Sequence, residues 1–117
     1  MDRKQLGKLG EQKAVDFFKK NRYSILFVNY RCRFGEIDII AKKEGTIVFV
    51  EVKTRRSDSF GMGMEAVNYP KQQKIRKTAL NFLNENKIRF ENLRFDVIDI
   101  FFDGRSFKLN HIKNSFW

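Results

Sequence analysis

The stretch GEIDIIAKKEGTIVFVEVKTR, residues 35–55, decides the fold of this chain. It contains two short apolar runs, residues 37–41 and 47–52, which are interrupted by acidic residues and joined by a polar segment with one glycine. Such alternation over two neighbouring runs predicts a β-hairpin. Strand geometry then places two sets of side chains on single faces of their strands: Glu36, Asp38 and Ile40 in the first strand, and Phe49, Glu51 and Lys53 in the second.

The register of this hairpin determines how two carboxylates meet. A two-residue loop formed by Glu44 and Gly45 sets Asp38 directly opposite Glu51. A two-residue slip keeps them diagonal neighbours, whereas a one-residue slip would place them on opposite faces. In the first two registers their backbones lie about 5 to 8 Å apart. Lys53 follows one side-chain period after Glu51 on the same face.

Two carboxylates on facing strands repel each other, which destabilises the strand pair. A divalent cation would reverse the sign of this interaction, and hard oxygen ligands favour Mg²⁺ or Mn²⁺ over zinc. Asp38 and Glu51 are therefore candidate metal ligands, with Lys53 nearby. The alternative is that all three are solvent-facing charges on an amphipathic hairpin, with Lys53 paired to Glu51.

The wider motif pattern resembles a known family. Asp38 is followed after twelve residues by Glu-x-Lys, an arrangement similar to the PD-(D/E)XK nuclease superfamily. The complete pattern resembles the YraN family of predicted endonucleases and covers most of the chain. It comprises Asn29 and Arg31, residues 35–41, FVEVKTR at residues 49–55, RFDVIDI at residues 94–100, Gly7, Gly10, Glu11 and Ala14 near the start of the chain, and Lys71 with Ala79 further on.

The resemblance implies a restriction-endonuclease-like α/β fold, a three-layer sandwich with a mixed central sheet. It implies that Asp38, Glu51 and the backbone carbonyl of Val52 bind Mg²⁺ or Mn²⁺, and that Glu11 completes the site directly or through water. Lys53 would position the attacking water or stabilise charge in the transition state. Archaeal Holliday-junction resolvases, which are similar, act as dimers on branched DNA. The resemblance thus implies a DNA endonuclease acting on branched or structured DNA, with a homodimer as a hypothesis.

Composition independently favours a polyanionic partner. The 117 residues suffice for one domain, residues 1–117, and the 24 Lys and Arg against 14 Asp and Glu give a formal charge of +10. A field of this sign favours nucleic acid, although a merely soluble basic surface is the alternative. The resemblance implies DNA before RNA as this partner. Cys32 is the only cysteine, which excludes an internal disulfide and a thiolate zinc cluster. No stretch resembles a signal peptide or a membrane span, so we expect a cytoplasmic protein.

Two helices should flank the predicted strands. Helical spacing predicts the first at residues 3–20, with Glu11 at the border of its inward stripe. That stripe consists of Leu6, Gly10, Ala14 and Phe17. The second should begin at residues 68–70 and end near Asn84, because Pro70 suits a first helical turn. Its inward residues are predicted to be Ile75, Ala79, Phe82 and Leu83. Lys71 and Gln72 lie on the inward side of its first turn, where a helix N-terminus can hold a phosphate, although a solvated lysine is the alternative.

The remaining segments complete the order α-β-β-β-α-β-β. Strands are predicted at residues 25–30, 93–102 and 107–112. Residues 56–59 are polar, and the glycine- and methionine-rich residues 60–67 are predicted to form either a flexible cover for substrate with a short helical turn or an ordinary connection. Asp96 is expected to be a structural or hydrogen-bonded acid outside the catalytic set, and His111 to be structural or exposed. Arg31 and Arg33 are phosphate-contact candidates, with a solvated turn as the alternative, and Arg55 joins them as a predicted nucleic-acid contact.

Two other function classes remain open at this stage. The chain could be a catalytically silent nucleic-acid-binding module of the same fold, which would bind in a salt-sensitive manner without a metal. It could instead be a basic adaptor that docks an acidic protein or a ribonucleoprotein. No motif reads bases, because basic residues report only the charge of the nucleic-acid backbone.

Overall fold

The fold confirms the predicted element order. The structure is a computed structural model that describes residues 1–56 and 68–115. Its elements are α1 (Arg3–Lys20), β1 (Ser24–Cys32), β2 (Gly35–Lys43), β3 (Thr46–Arg56), α2 (Tyr69–Asn86), β4 (Asn92–Phe102) and β5 (Phe107–Ile112). Some element boundaries differ from the sequence-based prediction: β1 continues through Arg31 into Cys32, β3 includes Arg56, and α2 extends to Asn86 instead of ending near Asn84.

The five strands form one mixed sheet in the order β1-β2-β3-β4-β5. The pair β3–β4 is parallel and the other three pairs are antiparallel. A parallel pair needs a crossover connection, and α2 provides it between β3 and β4. The mixed sheet that the sequence predicts is therefore confirmed.

The β2–β3 turn has the predicted two-residue loop. Lys43 pairs with Thr46, and the register continues regularly to the pair Ile39 and Val50. Glu44 and Gly45 both have positive φ, 49° and 81°. Two positive φ values in a two-residue loop match the right-handed twist of the flanking strands, which is why a glycine at the second position is favourable. This turn fixes the register of the hairpin on which the candidate site is built.

The two helices cover opposite faces of the sheet and make three layers. One core cluster joins most of the buried residues of α1 to Ile39, Val50 and Ile98, and the other joins most of those of α2 to Ile37, Phe49 and Phe95. The buried residues of α1 are Leu6, Gly10, Ala14, Val15 and Phe18. The buried residues of α2 are Ile75, Thr78, Ala79 and Phe82.

The predicted inward stripes need two small corrections. Phe17 is only partly buried against the α1-side cluster, and Phe18 takes the fully buried place. Leu83 is likewise only partly buried. Neither described helix is long and apolar enough to cross a membrane.

A buried polar cluster confirms Asp96 as a structural acid. Its carboxylate accepts hydrogen bonds from Arg94 at 2.9 Å and from the backbone N–H of Asn114 at 3.1 Å, and lies 2.6 Å from Nε2 of His111. Burial alone would raise the pKa of Asp96, but these bonds outweigh it and hold the pKa below its ordinary value. Arg94 also donates to the hydroxyl of Tyr23, so the cluster ties β4 to the residues around it. His111 is accordingly structural.

The close approach of α1 to β3 requires glycine at position 10. A Cβ built on Gly10 would collide with the Thr54 side chain, lying 2.9 Å from its Cβ and its Cγ2. A Cβ on Gly7, in the same helix, would meet nothing within 4 Å. The approach brings the N-terminal half of α1, which carries Glu11, against the end of β3.

We predict opposite effects for two matched substitutions in α1. Gly10→Ala should lower the free energy of unfolding by about 1 to 3 kcal/mol, because overpacking outweighs the gain in helix propensity. Gly7→Ala should raise it by about 0.5 to 1 kcal/mol, because only the propensity gain applies there. Urea unfolding monitored by circular dichroism measures both, and equal shifts in one direction would contradict the close approach.

Candidate metal and nucleic-acid site

The candidate site begins where the β2–β3 ladder ends. Beyond the last pair, Ile39 and Val50, the carboxylate of Asp38 accepts a hydrogen bond of 2.7 Å from the backbone N–H of Val52. The N–H and the C=O of a strand residue point toward the same neighbouring strand. The Val52 carbonyl therefore faces the side of β3 on which Asp38 lies, as its predicted role as a ligand requires.

The first strand of the hairpin does not alternate as regularly as predicted. Ile37 and Ile40 belong to the same core cluster, on the α2 side, whereas Ile39 packs on the α1 side. The alternation is therefore broken between Ile37 and Ile39. In β1, Asn29 lies between the residues that pair with these two, and it has a left-handed φ of 56°. Asp38 therefore lies at a break in the pattern, and the single face predicted for Glu36, Asp38 and Ile40 is wrong.

Asp38 is surrounded by negative charge in a half-buried place. Burial raises the pKa of Asp38 to about 7, with further contributions from Glu51, Glu11 and Glu36, while the N–H of Val52 opposes the shift. The three neighbouring carboxylates come from three different elements: Glu11 from α1, Glu36 from β2 and Glu51 from β3. The fold thus brings Glu11 of α1 and Glu51 of β3 near enough to act on one acid.

Glu51 is neutralised by two lysines that meet the same oxygen. Lys71 Nζ lies 2.7 Å and Lys53 Nζ 3.3 Å from Glu51 Oε1, and only 11% of the Glu51 side chain is exposed. Burial and the neighbouring Lys71 lower the pKa of Lys53. Burial, the largest single influence, opposes the charged form of Lys71 too. Its hydrogen bonds to Glu51 and Lys53, with the charges of Glu51 and Asp38, together outweigh burial and raise the pKa of Lys71.

These contacts bear on both interpretations of the hairpin acids. The ion pair between Lys53 and Glu51 that the non-functional alternative requires is present. Asp38, in contrast, is half-buried, its carboxylate accepts a hydrogen bond from a backbone N–H, and Lys71 attracts it electrostatically. Solvent-facing charges on an amphipathic hairpin do not explain this burial. The excess of negative charge around Asp38 is the feature that a bound cation would relieve.

The available donors fit a hard divalent cation. Carboxylate and carbonyl oxygens are the ligands that Mg²⁺ and Mn²⁺ prefer, and Asp38, Glu51 and the Val52 carbonyl supply them. Within residues 1–56 and 68–115, no group of three or more acidic, histidine or cysteine side chains is close enough to hold an ion. Direct ligation by Glu11 therefore stays a prediction, as does its role through water.

The residues that are predicted to contact phosphate differ in how exposed they are. Arg31 is exposed and paired with Glu36 at 3.0 Å, and the exposed Arg33 guanidinium lies 4.7 Å from the ring centroid of Phe34. Gln72 is half-buried beside Lys71 at the start of α2. Their contacts with nucleic acid stay predictions. The segment predicted as a cover for substrate, after Arg56, lies outside the described residues.

Asp99 is a site-side acid that sequence reasoning missed. Arg55 donates to its two carboxylate oxygens at 3.3 Å each, and the same guanidinium lies 5.0 Å from the ring centroid of Phe101. Asp99 pairs in register with Lys53 across the parallel β3–β4 pair. Because that pairing joins segments far apart in the chain, no local pattern could have shown it. Asp99 holds Arg55 in place beside the site.

A groove opens beside Lys71 where α2 begins. It has a volume of about 430 Å³ and is lined by Gly35, Glu36, Asn68, Pro70, Lys71, Lys74 and Ile75. Asn68 caps the helix, because its side-chain oxygen accepts a hydrogen bond of 3.0 Å from the Lys71 N–H. The groove therefore combines a helix N-terminus with two lysines, which favours an anionic ligand.

Comparison with known proteins places this site in a family. Residues 10–100 match the model described as "Uncharacterised protein family UPF0102". This chain belongs to the UPF0102 family. The matched span of the family includes every side chain of the site, from Glu11 to Asp99, and ends within β4.

The relatives match over nearly their whole length. A "UPF0102 protein" of Caldicellulosiruptor bescii is 52% identical, with 99% of this chain and 100% of the relative covered. A "UPF0102 protein" of Alkaliphilus oremlandii is 51% identical, with 97% and 98% covered. A third, from Dictyoglomus turgidum, is 42% identical over 99% of this chain and 100% of its own. The chain thus spans the same unit as these relatives.

The position of Asp38 predicts that removing its charge stabilises the protein. Because the pKa of Asp38 is raised, its contribution to stability is present at low pH and is lost as the pH rises toward 7. Asp38→Asn keeps an acceptor for the Val52 N–H and removes the charge. The variant should therefore exceed wild type in free energy of unfolding by about 1 to 2 kcal/mol at pH 8 and match it near pH 4.

Chemical denaturation at the two pH values tests this, with Asp16→Asn, a change at an exposed acid of α1, as the matched control. The control should show no such gain at pH 8. Equal or lower stability of Asp38→Asn at pH 8 would contradict the unfavourable charge environment.

Proposed function

We propose that this chain is a Mg²⁺- or Mn²⁺-dependent nuclease that hydrolyses phosphodiester bonds, with branched or structured DNA as the favoured substrate. The observation that carries the proposal is the half-buried carboxylate of Asp38, whose pKa is raised to about 7 by burial and by three neighbouring acids. Perturbed acids of this kind are found preferentially at functional sites. The motif resemblance to the PD-(D/E)XK superfamily gives the same residues.

In this proposal Asp38, Glu51 and the Val52 carbonyl hold the metal, and Glu11 completes the site directly or through water. The bound metal supplies polarisation of the scissile phosphate and a lowered pKa for water. The residues of the chain hold the ligands in place and act on the reacting groups. The Val52 N–H fixes the Asp38 carboxylate, and Lys53, 3.3 Å from Glu51, is placed to stabilise negative charge or orient the attacking water.

The surface around the site suits a nucleic-acid backbone. The formal charge of the chain is +10 although several of its acids are gathered at the site, so the remaining surface is more basic than the total. Arg31, Arg33, Arg55, Lys71 and Gln72 are the proposed backbone contacts. Such contacts position a polyanion without reading its sequence. A homodimer on branched DNA is proposed from the resemblance to the resolvases.

One observation favours a second candidate function. Glu51 is already neutralised by two lysines, so its charge needs no metal to balance it. A catalytically silent module that binds nucleic acid through the same basic surface would show this arrangement too. It differs from the nuclease in needing neither a divalent cation nor the charge of Asp38.

A cleavage assay separates the two candidates. Labelled single-stranded, duplex, flap and four-way-junction DNA are incubated with Mg²⁺, Mn²⁺ or EDTA and with wild type, Asp38→Asn, Glu51→Gln or the control Asp16→Asn. We expect metal-dependent cutting, strongest on a branched substrate, that falls by at least about 100-fold in both site variants because charge stabilisation is lost. The control should cut like wild type.

Lys53→Gln should reduce the rate while leaving the binding of Mn²⁺ in place. If no substrate is cut under any condition, while binding persists in EDTA and in both site variants, the nuclease proposal is contradicted and the binding module replaces it. Matching RNA substrates are then the next ligands to compare.

A further inference from the structure

Lys71 occupies an unusual position for a lysine that is proposed to contact nucleic acid. Its ammonium lies 2.7 Å from Glu51 Oε1, closer than that of Lys53, although 35% of its side chain is exposed. A surface lysine gains little from a single ion pair in water, but here the partner carboxylate is 11% exposed. The contact is therefore better protected than most surface ion pairs.

The backbone of Lys71 is fixed while its side chain borders two different environments. Asn68 accepts a hydrogen bond from the Lys71 N–H, which anchors the first turn of α2. Lys71 contacts Glu51, and it also lines the groove beside Asn68, Lys74 and Glu36. Four rotatable bonds let the ammonium reach either without a change in the fold.

Lys71 cannot keep its ion pair with Glu51 once a divalent cation binds that carboxylate. A lysine ammonium and a divalent cation beside the same carboxylate repel each other, and they compete for the same lone pairs. Displacement would leave Lys71 without its carboxylate partner, and an unpaired, half-buried charge is unfavourable. A phosphate in the groove would restore a partner, because the helix N-terminus there and Lys74 favour an anion as well.

We propose that Lys71 is an exchangeable counterion, which neutralises Glu51 when no divalent cation is bound and turns to a backbone phosphate of the nucleic acid when one is. This inference rests on the proposed function and adds a regulatory step to it. By linkage, metal and nucleic acid then strengthen each other's binding. The complete set of charged groups at the site would be in place only when the metal and the nucleic acid are both bound.

The first test measures Mn²⁺ binding to the free protein at pH 8 by isothermal titration calorimetry. We expect Lys71→Gln to bind Mn²⁺ about 3- to 10-fold more tightly than wild type, because the competing ammonium is gone. Lys77→Gln, which removes an equal charge from an exposed position of the same helix, should leave Mn²⁺ affinity within about 2-fold. Lys71→Arg keeps a cation beside Glu51 and should not tighten Mn²⁺ binding.

The second test measures coupling with a cleavage-resistant phosphorothioate DNA duplex as the probe. In wild type, Mn²⁺ should raise duplex affinity by at least about 5-fold, the lower end of common coupling strengths. In Lys71→Gln the increase should fall to less than about 2-fold. Lys77→Gln should bind the duplex more weakly in both conditions but keep the wild-type increase.

The outcomes separate this inference from the function on which it rests. If Asp38→Asn abolishes Mn²⁺ binding but Lys71→Gln weakens it or leaves it unchanged, the exchange is overturned and the metal site stands. Full coupling in Lys71→Gln overturns the exchange in the same way. If wild type shows no Asp38-dependent Mn²⁺ binding, both the exchange and the metal-dependent function are overturned. Unchanged circular dichroism of Lys71→Gln confirms that the variant is folded.

Discussion

The hydrogen bond from the Val52 N–H to the Asp38 carboxylate is the interaction on which the candidate site depends. It occurs where the regular β2–β3 ladder ends, so that a side chain, and not a backbone carbonyl, accepts the bond from β3. This hydrogen bond keeps the Asp38 carboxylate in a half-buried position, which is otherwise unfavourable for an ionised acid. The same hydrogen bond implies that the Val52 carbonyl faces the side of β3 on which Asp38 lies. A single contact therefore positions two of the three proposed metal ligands.

The two helices add opposite charges to this centre from opposite faces of the sheet. Gly10 lets α1 approach Thr54 closely, which brings Glu11 into electrostatic contact with Asp38. The crossover helix α2 brings Lys71 to Glu51 from the other side. The site is thus a balance between acids that repel one another and lysines that pair directly with one of them, Glu51. A balance of this kind destabilises the fold locally, and function is the usual reason for keeping such an arrangement.

Sequence reasoning succeeded where the cause is local. The turn at Glu44 and Gly45 sets the hairpin register through positive φ values, and helical periodicity gives the bounds of α1. It failed where distant segments meet. The break in alternation at Asp38 is matched by a left-handed Asn29 in another strand. Likewise, the Arg55–Asp99 pair and the Lys71–Glu51 pair arise only from the parallel β3–β4 pairing and its crossover. The Lys53–Glu51 ion pair followed from the spacing of the two residues on one strand, whereas the second lysine at Glu51, Lys71, did not.

A pH titration of the Asp38 side-chain carboxyl carbon by nuclear magnetic resonance tests the central claim most directly, in the absence and presence of saturating Mg²⁺. The account predicts a midpoint near pH 7 without the metal, because the pKa of Asp38 is raised to about 7. Because binding needs the ionised carboxylate, Mg²⁺ should lower the midpoint by at least about one pH unit. A midpoint near the ordinary aspartate value of about 4 in both conditions would contradict the account.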